Sequence, residues 1–283
     1  MKSVIKPFLW VCWSRLERLA ARSYIVGPDL DDALRTCRQL AKTERAATIC
    51  YWISEEESPQ KVTSAYLEAI DALSQQNLDC YMSIKAHTVA FDPQALNRLF
   101  ETGRNHGVRL HFDSLAPETA DKTFALIAQA LPQYPNLGCT LPGRWRRSPK
   151  DADWAVEQRL PVRVVKGQWA DAGKPEIDAR QGFLAIIERL AGRAVRVAVA
   201  THDALLAKEA LNRLQKTKTP CELELLYGLP LEPVSRVAQA AGVKIRLYLP
   251  YGHGWLPYNI SQVYENPKIF WWMLRDLWGR RCD

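Results

Sequence analysis

Several common signatures are missing from this chain of 283 residues. Its seven cysteines stand singly, at 12, 37, 50, 80, 139, 221 and 282, and none forms C-x-x-C. With no cysteine pair and no histidine pair beside one, a structural zinc site is not expected. An odd number of thiols, mostly inside apolar runs, reads as reduced and buried, the usage of a cytoplasmic protein. No G-x-G-x-x-G occurs, which removes the fingerprint of a doubly wound dinucleotide fold. No dense basic run or nucleic-acid motif occurs either, so nucleic acid is not an expected partner. The apolar run Phe8–Trp13 is too short for a membrane span or a signal core, and Arg15 interrupts it. Low-complexity segments and long linkers are absent too.

What is present is an ordinary globular composition, 47% hydrophobic and 24% charged. Lys plus Arg is 38 against 31 for Asp plus Glu. That surplus reads as a solvated surface, or as a site for an anionic cofactor or a membrane surface. From residue 46 a rhythm sets in. Short β-branched or apolar runs fall at 47–53, 78–84, 108–112, 137–141, 162–165, 195–200, 222–226 and 243–249. Helical periodicity fills the intervals, at 59–75, 93–106, 117–131, 150–158, 175–191, 204–215 and 231–241, and again at 257–277. Another helix precedes them at 29–41. Pro59 and Pro93 stand where a first helical turn tolerates a missing N–H, and Gly107 and Gly242 stand where helices stop.

Eight strands alternating with helices predict a distorted TIM-like (β/α)8 barrel over 46–283. Residues 1–45 are expected to form an N-terminal helical extension, and the last helix is expected to lie over the barrel mouth. In such barrels the strand C-termini face the active site. The polar residues at those ends are Ser54, Glu55, Lys85, His87, Asp113, Arg163, Lys166, Thr201, His202, Asp203, Glu224, Tyr227 and Tyr248. Taken singly, each has a plain structural reading. Lys85 and Asp113 could pair across neighbouring strand ends, Arg163 and Lys166 could flank a strand at the surface, and Tyr248 could simply pack. Converging from several strands, they read as a site, because unpaired charge is costly to bury.

Four segments at these ends carry a resemblance. Arg163-Val-Val-Lys166-Gly167-Gln168-Trp169-Ala-Asp171 resembles R-L-V-K-G-A-Y-W-D. Ala200-Thr201-His202-Asp203 resembles A-T-H-N/D, Tyr248-Leu-Pro-Tyr-Gly252 resembles Y-x-P-x-G, and Tyr258-x6-Glu265-Asn266 resembles Y-L-x-R-R-x-x-E-N. In this order they are similar to the proline dehydrogenase family of FAD-dependent distorted barrels, over about 27–266. The resemblance implies FAD as cofactor and hydride transfer from a C–N bond to the flavin. It implies that Arg163 contacts the flavin near N5, where positive charge favours the reduced ring. It implies Lys166, Gly167, Trp169, Thr201, His202 and Glu224 as cofactor-binding positions. Lys85 and Asp113 become residues near substrate and flavin, Tyr248 packs on the substrate, and Tyr258 and Glu265 belong to the substrate clamp. A membrane quinone as electron acceptor is implied as well. The apolar, Trp-rich run 269–278 either packs on the barrel or touches the inner face of the membrane peripherally.

The chain departs from the family at Ser261 and Gln262, where two arginines grip the carboxylate of proline. Neutral Ser and Gln forgo two charge-assisted bonds, a loss of roughly 3–6 kcal/mol at 1.5–3 each. Leu141, Glu224 and Tyr227 also stand where the family has glutamine, glutamine and histidine. The expected substrate is therefore an amine or imino acid without a free α-carboxylate, or a conjugated or carrier-bound one. Two other readings stay open. One is a catalytically degenerate barrel that binds flavin or a metabolite as a partner subunit. The other is ordinary proline oxidation with the carboxylate held elsewhere, by Arg144 or Arg180.

Overall fold

The computed structural model describes residues 24–54, 57–167, 175 and 177–253. Within them eight strands, β1 Ala46–Tyr51, β2 Cys80–Ile84, β3 Leu110–Phe112, β4 Leu137–Pro142, β5 Val162–Val165, β6 Val197–Ala200, β7 Cys221–Leu226 and β8 Ile245–Tyr251, form one closed barrel in chain order. Every neighbouring pair is parallel, and β8 closes on β1 with Thr48 opposite Tyr248 and Cys50 opposite Pro250.

The described helices are α1 Leu30–Ala41, α2 Pro59–Ser74, α3 Pro93–His106, α4 Ala120–Ala130, α5 Ser148–Glu157, α6 Ala179–Leu190, α7 Ala204–Lys216 and α8 Glu232–Ala240. Their starts follow local chemistry. Ser58, Asp92, Asp178 and Asp203 each accept a backbone N–H of the first turn, supplying an acceptor the helix itself lacks. Pro59 and Pro93 open α2 and α3, and Gly107 ends α3 at φ +67°. The helix expected over 117–131 begins with a short 3-10 turn, Pro117–Thr119, and is α-helical only from Ala120. The strand expected from Val195 starts at Val197; Val195 is 38% exposed and lies outside the ladder. α1 packs against β1 and β8, so it covers the outside of the seam where the barrel closes. The helix expected at 257–277 lies outside the described residues.

The strand period of two divides this barrel into a dry outside and an ionic inside. Ile49, Met82, Ile84, Leu110, Phe112, Leu141, Val162, Val164, Val197, Val199, Leu223, Leu225, Leu247 and Leu249 form the apolar layer with the helices, nearly all at 0–1% exposure. The alternate positions face one another across the barrel. Arg246 on β8 donates to both oxygens of Glu222 on β7 and to Asp79, while Arg163 on β5 does the same to Glu224. Tyr81 on β2 fills the centre, its ring 3.6, 4.6 and 5.8 Å from the guanidinium carbons of Arg109, Arg246 and Arg163. Arg163 and Arg246 tolerate burial because they meet carboxylates, whereas Arg109 lies over the Tyr81 ring and its buried Nε has no partner among the described residues.

Close backbone contact sets one of the helices. A Cβ on Gly182 of α6 would lie 1.8 Å from the carbonyl oxygen of Gly143, and one on Gly143 would lie 2.6 Å from the Phe183 nitrogen. Glycine at both positions lets α6 rest directly on the end of β4.

Candidate active site

A cavity of about 590 Å³ opens at the C-terminal ends of the strands. Ten residues singled out from sequence line it: Lys85, His87, Asp113, Arg163, Lys166, Gly167, Thr201, His202, Glu224 and Tyr248. They come from or just after β2, β3, β5, β6, β7 and β8, so the barrel closure brings together positions far apart in the chain. Trp169, Tyr258, Ser261, Gln262 and Glu265 lie outside the described residues, as do Glu55 and the segment 269–278.

Arg163 is the hub, 3% exposed. Its Nε and Nη2 grip Glu224 in a two-point pair at 2.8 and 2.9 Å. Its Nη1 donates to Asp113 at 2.5 Å and to Ser83 at 3.2 Å, and Nη2 also donates to the Tyr81 hydroxyl at 3.1 Å. All five guanidinium hydrogens thus have protein acceptors. The surrounding carboxylates hold the Arg163 guanidinium well above its ordinary range although burial opposes it.

Asp113 is the second node. It accepts from Arg163, from the Ser83 hydroxyl at 2.7 Å and from the Tyr248 hydroxyl at 2.6 Å. Its ion-pair partner is Arg163; the pair with Lys85 considered from sequence does not form. Burial, reinforced by Asp113, pushes the Tyr248 phenol well above 10, so it stays protonated and donates. The guanidinium carbon of Arg163 lies 5.1 Å from the centre of the Tyr248 ring. Lys85 turns to Cys50, Nζ to Sγ 3.2 Å, and lies 5.6 Å from the centre of a Trp52 ring. Burial raises the Cys50 thiol, so Lys85 meets a neutral sulfur.

The Thr201-His202-Asp203 segment has a local logic of its own. Thr201 Oγ1 accepts the Asp203 N–H, and Asp203 caps α7 through the Leu206 N–H. Asp203 also pairs with Lys166 at 3.1 Å. Burial would raise the Asp203 carboxyl, but the Leu206 N–H and Lys166 hold it below the usual range. His202 Nε2 accepts the Leu226 N–H at 2.9 Å, which requires an unprotonated Nε2. Its Nδ1 then donates to the Pro230 carbonyl at 3.2 Å. His202 is therefore a neutral bolt between the ends of β6 and β7.

Sequence reasoning missed Ser83, Thr140, Tyr81 and Trp52. Ser83 and Tyr81 were visible as alternate residues of one strand, but nothing local marks them as facing Arg163. On β4, Thr140 lines the cavity while Leu141 points into the outer apolar layer. The two cations considered as alternative carboxylate partners are engaged elsewhere. Arg144 Nε donates to the Gly167 carbonyl at 2.9 Å, and Arg180 pairs with Glu209 at 2.9 Å and Asp203 at 3.6 Å.

Fold and site define the class: a parallel (β/α)8 barrel with an ionic interior and a cavity at its C-terminal mouth. The chain belongs to the proline dehydrogenase family, whose model matches residues 33–267. It is similar to proline dehydrogenase 1 of Bacillus subtilis (strain 168), 23% identical over 266 residues that cover 88% of each chain. The proline dehydrogenase of Deinococcus radiodurans is 22% identical over 279 residues, 90% of this chain and 87% of the relative. Among solved structures it is similar to proline utilization A (PutA) from Bdellovibrio bacteriovorus inactivated by N-propargylglycine, with a TM-score of 0.70 and 19% identity. That match covers 83% of this chain but only 31% of PutA. PutA from Corynebacterium freiburgense matches with a TM-score of 0.70 and 17% identity, over 94% of this chain and 33% of that one. At such identities the solved structures speak for the shared barrel.

Proposed function

We infer that this chain is an FAD-dependent oxidoreductase that oxidises a C–N bond of a proline-like or other small amine. The observation that carries the reading is the cavity itself. One space collects the Arg163, Lys166, Thr201-His202 and Tyr248 positions that the family shares, plus Lys85 and Asp113.

The residues present suit such a cofactor. A volume of about 590 Å³ falls within the range of ligand sites. Trp52, Pro142, Val165 and Leu226 give it apolar walls, and Lys85 and Lys166 give it cations. Trp52 lines it too, and its buried Nε1–H has no acceptor among the described residues. FAD, when bound, supplies the hydride-accepting ring. Lys166, Gly167, Trp169, Thr201, His202 and Glu224 are the proposed cofactor-holding positions, with His202 and Asp203 fixing the loop that presents them. Arg163 and Asp113 hold Tyr248 in place against the substrate. Tyr258, Ser261, Gln262 and Glu265 would complete the substrate side, and the neutral Ser261/Gln262 pair favours an amine without a free α-carboxylate. Quinone as acceptor and peripheral membrane contact through 269–278 remain part of the proposal. Among the described residues no helix is long and apolar enough to cross a membrane.

The test is spectroscopic. Purified protein should carry a visible flavin absorption that bleaches anaerobically with a cyclic amine, an imino acid or a conjugate of one. A colourless protein that refuses FAD would overturn the reading. Bound flavin that none of these reduces would instead support a partner subunit without catalysis, a reading that the fully engaged guanidinium of Arg163 favours. Robust turnover of free proline would overturn the substrate assignment alone.

A further inference from the structure

Two of the cysteines meet on the outside of the barrel, away from the cavity. Cys80 opens β2, and the strand period of two settles its direction. Tyr81 points to the barrel centre, so Cys80 points outward with Met82 and Ile84. Cys37 stands on the buried face of α1 with Ala33 and Leu34. The two sulfurs belong to residues 43 apart in the chain and lie 3.8 Å from each other. Both are free thiols. Cys37 is 2% exposed and Cys80 is half-buried, so Cys80 is the one that solvent reaches. Among the described residues no other two sulfurs come this close.

The place of the pair gives a bridge something to hold. α1 covers the seam where β8 closes on β1. The chain just before it is tied to the end of β8: the Val26 N–H donates to the Pro250 carbonyl at 2.9 Å, and the Gly252 N–H donates to the Gly27 carbonyl at 3.1 Å. Toward the other end of α1, Arg38 reaches Gln76 through an exposed hydrogen bond of 3.3 Å, which adds little in water. A covalent link from Cys37 to Cys80 would fasten that end to β2. An S–S bond is about 2 Å long, so the sulfurs close the gap by approaching roughly 2 Å through partial turns of the two side chains about their Cα–Cβ bonds. The gain falls mainly on the unfolded chain, which loses the freedom of a long loop. Neither cysteine lines the cavity. The neighbouring Cys37, and then burial, raise the Cys80 thiol well above its ordinary range, so exchange is slow at neutral pH and quickens as pH rises.

We propose that Cys37 and Cys80 form a redox modification site, at which a small disulfide such as oxidised glutathione converts the two thiols into a bridge between α1 and β2. The sulfur of Cys80 attacks the S–S bond of the oxidant, which breaks, releases one thiol and leaves a mixed disulfide. The sulfur of Cys37 then attacks Cys80 Sγ and releases the second thiol. One S–S bond breaks and one forms; the two thiol protons leave on the two product thiols, and the electron pair given up by the protein reduces the oxidant. The site is independent of the flavin reading above. To test it, purified full-length protein, reduced and freed of reductant, is incubated with oxidised glutathione at about pH 8.5, where an ordinary thiol is half ionised. It is then alkylated, digested and mapped by mass spectrometry. The expected product is a pair of peptides joined through Cys37 and Cys80, lighter by the two thiol hydrogens. The bridged protein should melt roughly 5 °C or more above the reduced one, and dithiothreitol should reverse both changes. C37S and C80S should show neither change, whereas C221S, which removes a half-buried thiol elsewhere, should show both. Two thiols that only pack together would stay free or be capped singly. Alkylation of both residues after the incubation, glutathione on Cys80 without a link, or a linked protein that melts no higher than the reduced one would each overturn the proposal. The wild-type map and melting curve decide it if the serine variants do not fold.

Discussion

Among individual side chains, two tyrosines on β8 show how partners decide what a hydroxyl is worth. Tyr248 donates to Asp113 at 2.6 Å, inside a network where that carboxylate also serves Arg163 and Ser83. Tyr251, 2% exposed, has a buried hydroxyl without a partner among the described residues. Removing a hydroxyl bonded to a charged group costs about 1.5–3 kcal/mol, whereas removing an unsatisfied one relieves a desolvation penalty. Tyr248→Phe should therefore lose about 1.5–3 kcal/mol in urea unfolding, and Tyr251→Phe should be neutral or more stable. Equal losses in both would show that the Asp113 bond contributes nothing special. The residues that matter in this network were only half legible in sequence. Arg163, Asp113, Glu224 and Tyr248 announced themselves as polar groups at strand ends. Their pairing did not, because the partner of Asp113 is set by which strands face one another across the barrel, and that is not a local property. Lys85 is the nearer in sequence, yet Arg163 is the partner.

At the level of elements, helix starts and strand periods carried the fold, since each depends on neighbours within a few residues. The caps at Ser58, Asp92, Asp178 and Asp203 and the left-handed stop at Gly107 are signals of that kind. The docking of α6 onto β4 is not, because it depends on two glycines 39 residues apart, Gly143 and Gly182. These two kinds of glycine make different predictions. At Gly107 an added Cβ meets nothing within 4 Å, so Gly107→Ala should cost only the left-handed backbone penalty, about 1–2 kcal/mol. At Gly182 the Cβ would collide with the Gly143 carbonyl, a backbone atom that can yield only by moving the strand end. Gly182→Ala should destabilise the protein more than Gly107→Ala does in parallel thermal unfolding. It should also perturb ligand binding, since the displaced Gly143 stands between the cavity residues Pro142 and Trp145. Equal effects of the two substitutions would mean that α6 slides freely on the barrel.

For the molecule as a whole, the unusual feature is a barrel whose inside is ionic and whose apolar core lies between strands and helices. His111 reports on that interior. It is 2% exposed, its Nε2 lies 3.1 Å from the Thr140 hydroxyl, and its buried Nδ1 has no partner among the described residues. Burial, and then the guanidinium groups of Arg163, Arg109 and Arg246, hold it well below the usual histidine range. The ring is therefore neutral in the folded protein, while in the unfolded chain it takes up a proton near pH 6.5. Below that pH the unfolded state binds one proton more than the folded state, so stability rises with pH and falls as the solution is acidified. The contribution is fully present above about pH 6.5 and declines as pH drops toward the depressed folded value, by at most about 1.4 kcal/mol per pH unit. Denaturant unfolding at pH 7, 6 and 5 should show this decline before most carboxylates titrate. His111→Asn, which removes the titrating group but keeps an amide within reach of Thr140, should make it shallower, leaving the part due to His87, which burial and Lys85 hold down to about 4. If the two proteins lose stability in parallel over that interval, the three arginines do not exert their field on the centre of the barrel, and the ionic interior is more hydrated than its burial implies.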